Sequence, residues 1–501
     1  MSSKQKLKHQ PSNEKIGIFI FRRDHRLTDN LALIKLSHEV DIIIPIFILD
    51  KKQIKKNKHN KHYFSSNVVQ FMCESLVDLN DQLLKYDSYL RIYYGQPKKI
   101  IKKMIKWTKN YFKCTSSNIF LSYNSDYSIY SEKRDTEINS LCSKEKINLI
   151  LFTDDYTLIP ITQLVKSDGY GFKQFGAFYK QAITHTVNRP NKNLFNSYLN
   201  YKIKTKSEFD IQRLDAFYEY NINLKQHGGR KLAIKKLNRI GIFNTYNDNR
   251  NTLSYETTNL SAYLNFGCIS VREAYHMFKQ ELGNKNEVIK QLYWRDFYLT
   301  AVRTLPDGNK FVHMDKRYEQ IKWDLKNREK YWKLLIEKKT GFLLIDAAIN
   351  EMITTGFMHN RARMIVGTFW TKYLLINIFD PIYGSQVGYS KYLVDAIGVS
   401  QNKMNHQWIT EFDYSGKKFA PSDSPIAGRP MDPSNRMIKK WDPECLYIKK
   451  WINNLSNVPN KDIYNWNEQI AEKHNNIHPS PIFDHKVKYK EWINKCRGIK
   501  F

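Results

Sequence analysis

A doubly wound parallel α/β domain followed by an all-α domain is the fold this chain predicts, on three observations. Five short apolar, β-branched runs, Ile16–Phe21, Asp41–Leu49, Leu90–Tyr94, Ile119–Tyr123 and Ile147–Phe152, alternate with amphipathic stretches such as Asn67–Tyr86 and Pro97–Tyr111. Apolar strands separated by helices are the pattern of a parallel sheet buried on both faces. From His227 onward the spacing of apolar residues becomes helical, with breakers at Gly267, Pro306, Gly356 and Pro381. The length, 501 residues, also exceeds the usual size of one core and favours two domains.

Taken in order, residues 16–155 make the Rossmann-like half. The loop after its first strand, FRRDHRLTDN at Phe21–Asn30, is charged and lacks the GxGxxG spacing, so no pyrophosphate seat is expected at that turn. Residues 156–226 are mixed and irregular, include GYGFKQFGAFYK at Gly169–Lys180, and read as a long interdomain linker draped over its neighbours. Residues 227–501 make the helical half. The basic run KKQIKKNKHNKH, Lys51–His62, reads as a solvated loop.

Eighty Lys and Arg against 49 Asp and Glu leave a net charge of +31, which favours polyanionic partners, nucleic acid first. An AT-biased genome also enriches Lys, Asn and Ile, so the charge does not assign the partner by itself. Six scattered cysteines without a CxxC or a His/Cys pairing at metal spacing give no sign of structural zinc or an iron–sulfur cluster and suit a reducing compartment. The first fifteen residues lack the apolar core of a signal peptide, and no run is long enough to span a bilayer. A soluble, intracellular protein, cytoplasmic or nuclear, is expected.

Chemistry concentrates in the helical half. QLYWRDFY at Gln291–Tyr298 and GFMHNRARM at Gly356–Met364 put indole, amide and guanidinium groups into apolar helical segments, where they cost free energy unless something polar satisfies them. TTNLS, Thr257–Ser261, precedes a helical stretch, and hydroxyls with free N–H groups at a helix start suit a phosphate, although Ser and Thr there often serve only as caps.

These segments, with HGGRKLA at His227–Ala233, the run from Thr257 to Glu273, the run from Lys339 to Met364 and FDHKVKY at Phe483–Tyr489, resemble successive signatures of the photolyase/cryptochrome family. FRRDHRLTDNLAL and NSDYSIYSEKRD, Asn124–Asp135, resemble its N-terminal domain, so the likeness is collinear over nearly the whole chain. The resemblance implies an antenna domain and a helical domain holding a U-shaped FAD, active as FADH⁻. It implies that Tyr246, Thr257, Thr258, Asn259, Leu260 and Ser261 hold the ribityl and diphosphate, with Arg295, Asn360, Arg363 and Asp395 around the isoalloxazine and Asn402 facing flavin N5. An Arg363–Asp395 pair is physically sensible, since a buried guanidinium needs a carboxylate.

Within the family, repair forms flip a dimerised pyrimidine into a pocket over the flavin. The (6-4) photolyases carry an HHLARH-like pattern whose histidines protonate a leaving hydroxyl; here HNRARM puts Asn360 and Met364 at two of those positions. A cyclobutane dimer is therefore the expected substrate. Trp294 and Trp408 are the expected stacking walls, Met364 packs the dimer, Asn360 bonds a base edge and Arg361 meets a DNA phosphate. Gln291 stands where cyclobutane enzymes usually have glutamate, which keeps a (6-4) enzyme open, and a cryptochrome-type photoreceptor without repair activity is the other alternative.

Of the family's three photoreducing tryptophans only the outer one, Trp323, matches, with Ile378 and His406 at the other positions. The sequence therefore predicts a different aromatic route, through Trp370 or Tyr373, or slow photoreduction. The resemblance further implies UV-damaged DNA as partner, a monomer, and a second antenna chromophore that is a folate, a deazaflavin or a flavin, if the cleft is filled.

Overall fold

The computed structural model describes residues 13–54, 65–203, 208–305, 316–380, 383 and 431–496. Its first half is a six-stranded sheet in the order β5-β4-β1-β2-β3-β6, built from β1 (Ile16–Phe21), β2 (Ile42–Leu49), β3 (Arg91–Tyr94), β4 (Ile119–Asn124), β5 (Asn148–Phe152) and β6 (Glu208–Phe209). The first five are parallel, each within a residue of its expected limits. β6, only two residues long and antiparallel to β3, comes from the stretch read as featureless linker. Two residues are too few to leave a periodic signal.

Alternation along β1 assigns the two faces. Ile16, Ile18 and Ile20 pack with α3 (Pro97–Phe112) and α4 (Ile129–Glu145), while Phe19 and Phe21 pack with α1 (Leu31–Ser37) and α2 (Ser66–Leu84). Gly17 is what lets α1 lie close, since a Cβ there would meet Leu36 Cδ2 at 2.9 Å. The second face continues into the core of the helical half, reaching Tyr263, Phe266, Leu292 and Phe297. A separate core around Ile345, Val366, Trp370 and Ile448 holds the rest of that half together.

The linker segment is structured. It carries α5 (Phe175–Ala182), and Leu199 and Tyr201 cap the β2–β3 edge through Leu199 N–H to Ile43 O (2.9 Å) and Arg91 donating to both carbonyls (2.9 and 2.7 Å). The functional helices follow: α6 (Val271–Leu282), α7 (Glu287–Thr304), α8 (Leu343–Thr355), which ends at left-handed Gly356 (φ 67°), and α9 (Asn360–Thr368). Pro306 and Pro381 lie outside the described residues.

The charged loop after β1 joins the halves. Arg26 Nη2 donates to both carboxylate oxygens of Asp155 (2.9 and 2.8 Å), Arg272 of α6 bonds Asp29 (2.9 Å) and approaches Asp155 (3.5 Å), and all four side chains are buried. Arg23 reaches the backbone oxygen and side chain of Asn265, and His25 N–H donates to Phe266 O. Burial works against the Arg26 charge, but Asp155 and Asp29 more than offset it and raise its pKa. Below them, Asp296 of α7 accepts from Leu158 N–H (2.7 Å) and tethers the start of the linker. Burial lifts the Asp296 carboxyl to about 7 against the pull of Arg295.

Two outcomes follow from these buried charges. Arg272→Met strands Asp29 and part of Asp155, and should lower unfolding free energy by about 3–5 kcal/mol in chemical denaturation. Because the Asp296 pKa is raised on folding, its contribution is full below about 4 and is lost as pH rises through about 7. Asp296→Asn should therefore gain stability relative to the parent across that window, whereas a difference in thermal midpoint that ignores pH would refute this.

Candidate functional site

Two adjoining cavities open in the helical half, and six residues line both: Tyr246, Thr257, Gln291, Trp294, Tyr298 and Asn360. The inner one, about 1290 Å³, is otherwise lined by Thr258–Ser261 and by Arg295, Phe357 and Arg363. The outer one, about 1240 Å³, adds Arg250, Glu287, Lys290, His359, Arg361 and Met364, with Phe175 on its wall. Helical spacing explains the convergence: Glu287, Gln291, Trp294 and Tyr298 recur at three and four residues along α7, and Asn360 and Arg361 lie four and three residues before Met364 on α9.

Around the inner cavity Tyr246 is buried, and Asn259 sits at φ 52° with its Oδ1 buried and unpartnered while its amide donates to Glu256 (2.9 Å). A polar cradle with an unused buried acceptor fits a polyhydroxylated, phosphorylated cofactor such as FAD. Arg295 does not project freely, because its guanidinium donates to Tyr156 O and Leu264 O (3.4 Å). Burial draws its pKa down to about 10, partly offset by Asp296, so it stays a cation at neutral pH. Arg363 donates through Nε to Met358 O (2.9 Å). Asp395 and Asn402 lie outside the described residues, as do Trp408 and His406.

In the outer cavity Trp294 is half-buried and stacked face to face on Phe175 of α5, with centroids 3.5 Å apart at 6°. Further aromatic pairs dock α5 on α7: Phe178 with Phe297 at 5.4 Å and Tyr179 with Tyr293 at 5.3 Å. Gln291 donates its amide to Glu287 O (3.3 Å), which leaves its oxygen to accept. Arg361 bonds Asn251 (2.8 Å) and touches Met364 Sδ (2.9 Å). Glu287 is held by Arg250 (3.1 Å) and Lys290 (3.2 Å).

His359 caps α9 by accepting Arg361 N–H at Nδ1 (3.1 Å), and its own N–H donates to buried Glu351. Burial, with the Arg361, Arg363 and Lys225 charges, drives its pKa down to about 3, so the ring is neutral. Sequence reasoning passed over Phe175, Glu287, Lys290 and His359. Glu287 was visible as the residue one turn before Gln291, whereas nothing local marks Phe175, more than a hundred positions from Trp294.

A third cleft, about 740 Å³, lies at the carboxyl ends of β1 and β2, the usual ligand position in an open α/β sheet. Arg22, Asp126, Tyr130 and Arg134 line it together with Phe266 from the helical half. Arg22 and Arg134 share Asp135 (2.9 Å each), and each keeps one buried guanidinium nitrogen unpartnered.

Of the residues at the expected tryptophan positions, Trp323 is half-buried, 6.4 Å by centroid from Trp492, and Ile378 is buried. Trp370 is buried in a π-helical turn, Phe369–Tyr373, 5.2 Å from half-buried Trp332, which lies 6.1 Å from Tyr383.

No helix among the described residues is long and apolar enough to cross a membrane, and no cluster there has the ligands for a metal. Residues 18–193 match the family model described as DNA photolyase, and residues 288–498 match the FAD binding domain of DNA photolyase. The chain is 28% identical to the deoxyribodipyrimidine photo-lyase of Buchnera aphidicola subsp. Acyrthosiphon pisum, with 94% of each covered, and 26% identical to Cryptochrome-2 of Gallus gallus, with 96% of this chain and 82% of that one covered. An archaeal photolyase from Sulfolobus tokodaii, whose structure holds two FAD molecules, superimposes with a TM-score of 0.77 at 28% identity over 96% of this chain and 99% of its own. With both halves matched in order and one fold shared end to end, this chain belongs to the photolyase/cryptochrome family.

Proposed function

We propose that the protein is a light-driven DNA repair lyase that splits cyclobutane pyrimidine dimers, with FAD in the inner cavity and the flipped lesion in the outer one. The observation that carries this reading is the wall the cavities share, since Gln291, Trp294 and Asn360 touch both. Tyr246 and Thr257–Ser261 would hold the ribityl and diphosphate, and Arg295, Asn360 and Arg363 would surround the ring, with Asp395 and Asn402 assigned by resemblance alone. Reduced FAD, when bound, supplies the light-driven electron.

The chain's own residues do the rest. Trp294, backed by Phe175, offers a fixed face to a flipped base, and a held indole loses less entropy on stacking than a mobile one. Trp408 is assigned as the opposite wall on the resemblance. Gln291 accepts a pyrimidine N–H through its oxygen, Asn360 reaches a base edge and Met364 packs the apolar side of the dimer. Arg250, Lys290 and Arg361 outnumber Glu287 at the cavity and favour phosphates. A neutral His359 at neutral pH has no proton to spare for a leaving hydroxyl, which supports the cyclobutane lesion over the (6-4) photoproduct.

A second chromophore is assigned to the cleft beside Arg22 and Arg134, whose unpartnered nitrogens suit a flat ligand with anionic character. A flavin is one of the chromophores with that character. For photoreduction we assign Trp370, passing charge to Trp332 and outward, in place of the positions held by Ile378 and His406.

Blue-light treatment of DNA carrying either defined lesion, with the flavin chemically reduced beforehand, tests the proposal. Restoration of cyclobutane dimers alone is expected, and restoration of neither lesion by an FAD-loaded protein would favour a photoreceptor. Trp294→Leu should weaken binding of damaged DNA by about tenfold or more, the value of one lost base stack, when variant and parent are compared at equal FAD loading. Trp370→Phe should slow photoreduction by an external donor yet leave repair by pre-reduced protein unchanged; equal photoreduction rates would remove Trp370 from the route.

A further inference from the structure

Helix α3, on the sheet face opposite the helical half, carries a basic surface outside the two repair cavities. Its sequence, PKKIIKKMIKWTKNYF, has six lysines and no acid, and Lys113 follows at its C-cap. Lys98, Lys99, Lys102, Lys103 and Lys106 are all exposed. Lys98 and Lys99 sit in the first turn, where the helix dipole disfavours cations, and the pairs 98/102, 99/103 and 102/106 set like charges one turn apart. Lysines so arranged destabilise the isolated helix.

The same ridge continues as aromatic rings. Lys99, Lys103, Trp107 and Tyr111 follow one another at i, i+4 spacing over about 18 Å. Trp107 and Tyr111 are stacked at 4.7 Å and 16°, both half-buried, and Tyr111 lies 4.8 Å from Tyr201 of the linker, which is 50% exposed. Arg91 and the Tyr89 hydroxyl both donate to Tyr201 O (2.7 and 2.9 Å), which fixes that ring's backbone.

We propose that this stripe binds single-stranded nucleic acid, with phosphates along Lys99, Lys102, Lys103 and Lys106 and bases on the Trp107–Tyr111–Tyr201 column. Cations beside a stacked aromatic platform are what a flexible strand with unpaired bases requires. A lipid surface does not fit, because the apolar side of α3, Ile100, Ile101, Met104, Ile105 and Phe112, is buried against the sheet. The site stands apart from the repair cavities and does not depend on their assignment.

The test is dark binding of an undamaged, fluorescein-labelled oligo-dT to the full chain over a salt series, with heparin as a polyanion that has no bases. Combined Lys99→Gln, Lys103→Gln and Lys106→Gln should reduce the log–log salt slope for the oligonucleotide by about two, at roughly 0.7 per phosphate contact. Trp107→Leu, and separately Tyr201→Leu should the first variant unfold, should weaken oligo-dT several-fold while leaving heparin unchanged. An unchanged slope in the lysine variant, or aromatic variants that bind oligo-dT like the parent, would overturn the proposal. Equal losses for heparin and oligo-dT in the aromatic variants would likewise overturn the base-stacking role.

Discussion

Everything in this molecule hangs on the buried exchange of charge among Arg26, Asp29, Asp155 and Arg272. Four ionised groups out of water are tolerable only when each meets its opposite with good geometry, and here two arginines meet two carboxylates with backbone oxygens taking further N–H groups. The network ties the loop after β1, the end of the sheet domain and α6 into one joint. Beside it, Arg23 and His25 bond Asn265 and Phe266, on the segment that leads from Thr257 into the helical half.

From that joint the site is built outward by neighbours of low chemical ambition. Asp296 tethers the linker, the linker delivers α5, and α5 presses its aromatic rings on the face of α7 that carries Trp294. Glu351, itself held by Tyr447 (2.7 Å), receives the N–H of His359 and so fixes the start of α9. The residues that line the cavities are thus aimed by residues that do not, which is how a cavity keeps its shape.

How much was legible in the sequence depended on the range of the interaction. The strands were readable to within a residue because Ile, Leu and Phe runs report burial on both faces locally. Gln291 and Trp294 on α7 and Asn360, Arg361 and Met364 on α9 stood out because their motifs resemble the family's, whereas Glu287 and Lys290 of the same cavity did not. β6 was too short to show, and the Phe175–Trp294 stack pairs residues in separate elements, so no local pattern contains it. The charged loop Phe21–Asn30 lacks the GxGxxG spacing, and the task it performs here, joining the halves, needs Asp155 and Arg272 from elsewhere in the chain. Neutral His359 was equally hidden, since its state comes from burial and from three cations folded around it.

The contact between Phe175 and Trp294 also dictates how this protein can be taken apart. Sequence composition suggests a seam near Asp155, and a hybrid spliced there would pair α7 with a foreign α5, so its Trp294 would be backed by a ring, or a gap, evolved for another indole. The natural exchange unit runs instead through Ala182 or beyond, because one wall of the helical half's outer cavity is encoded before that half begins. Modular boundaries in this chain are drawn by which side chains share a surface, and the join between its modules is itself a piece of the outer cavity.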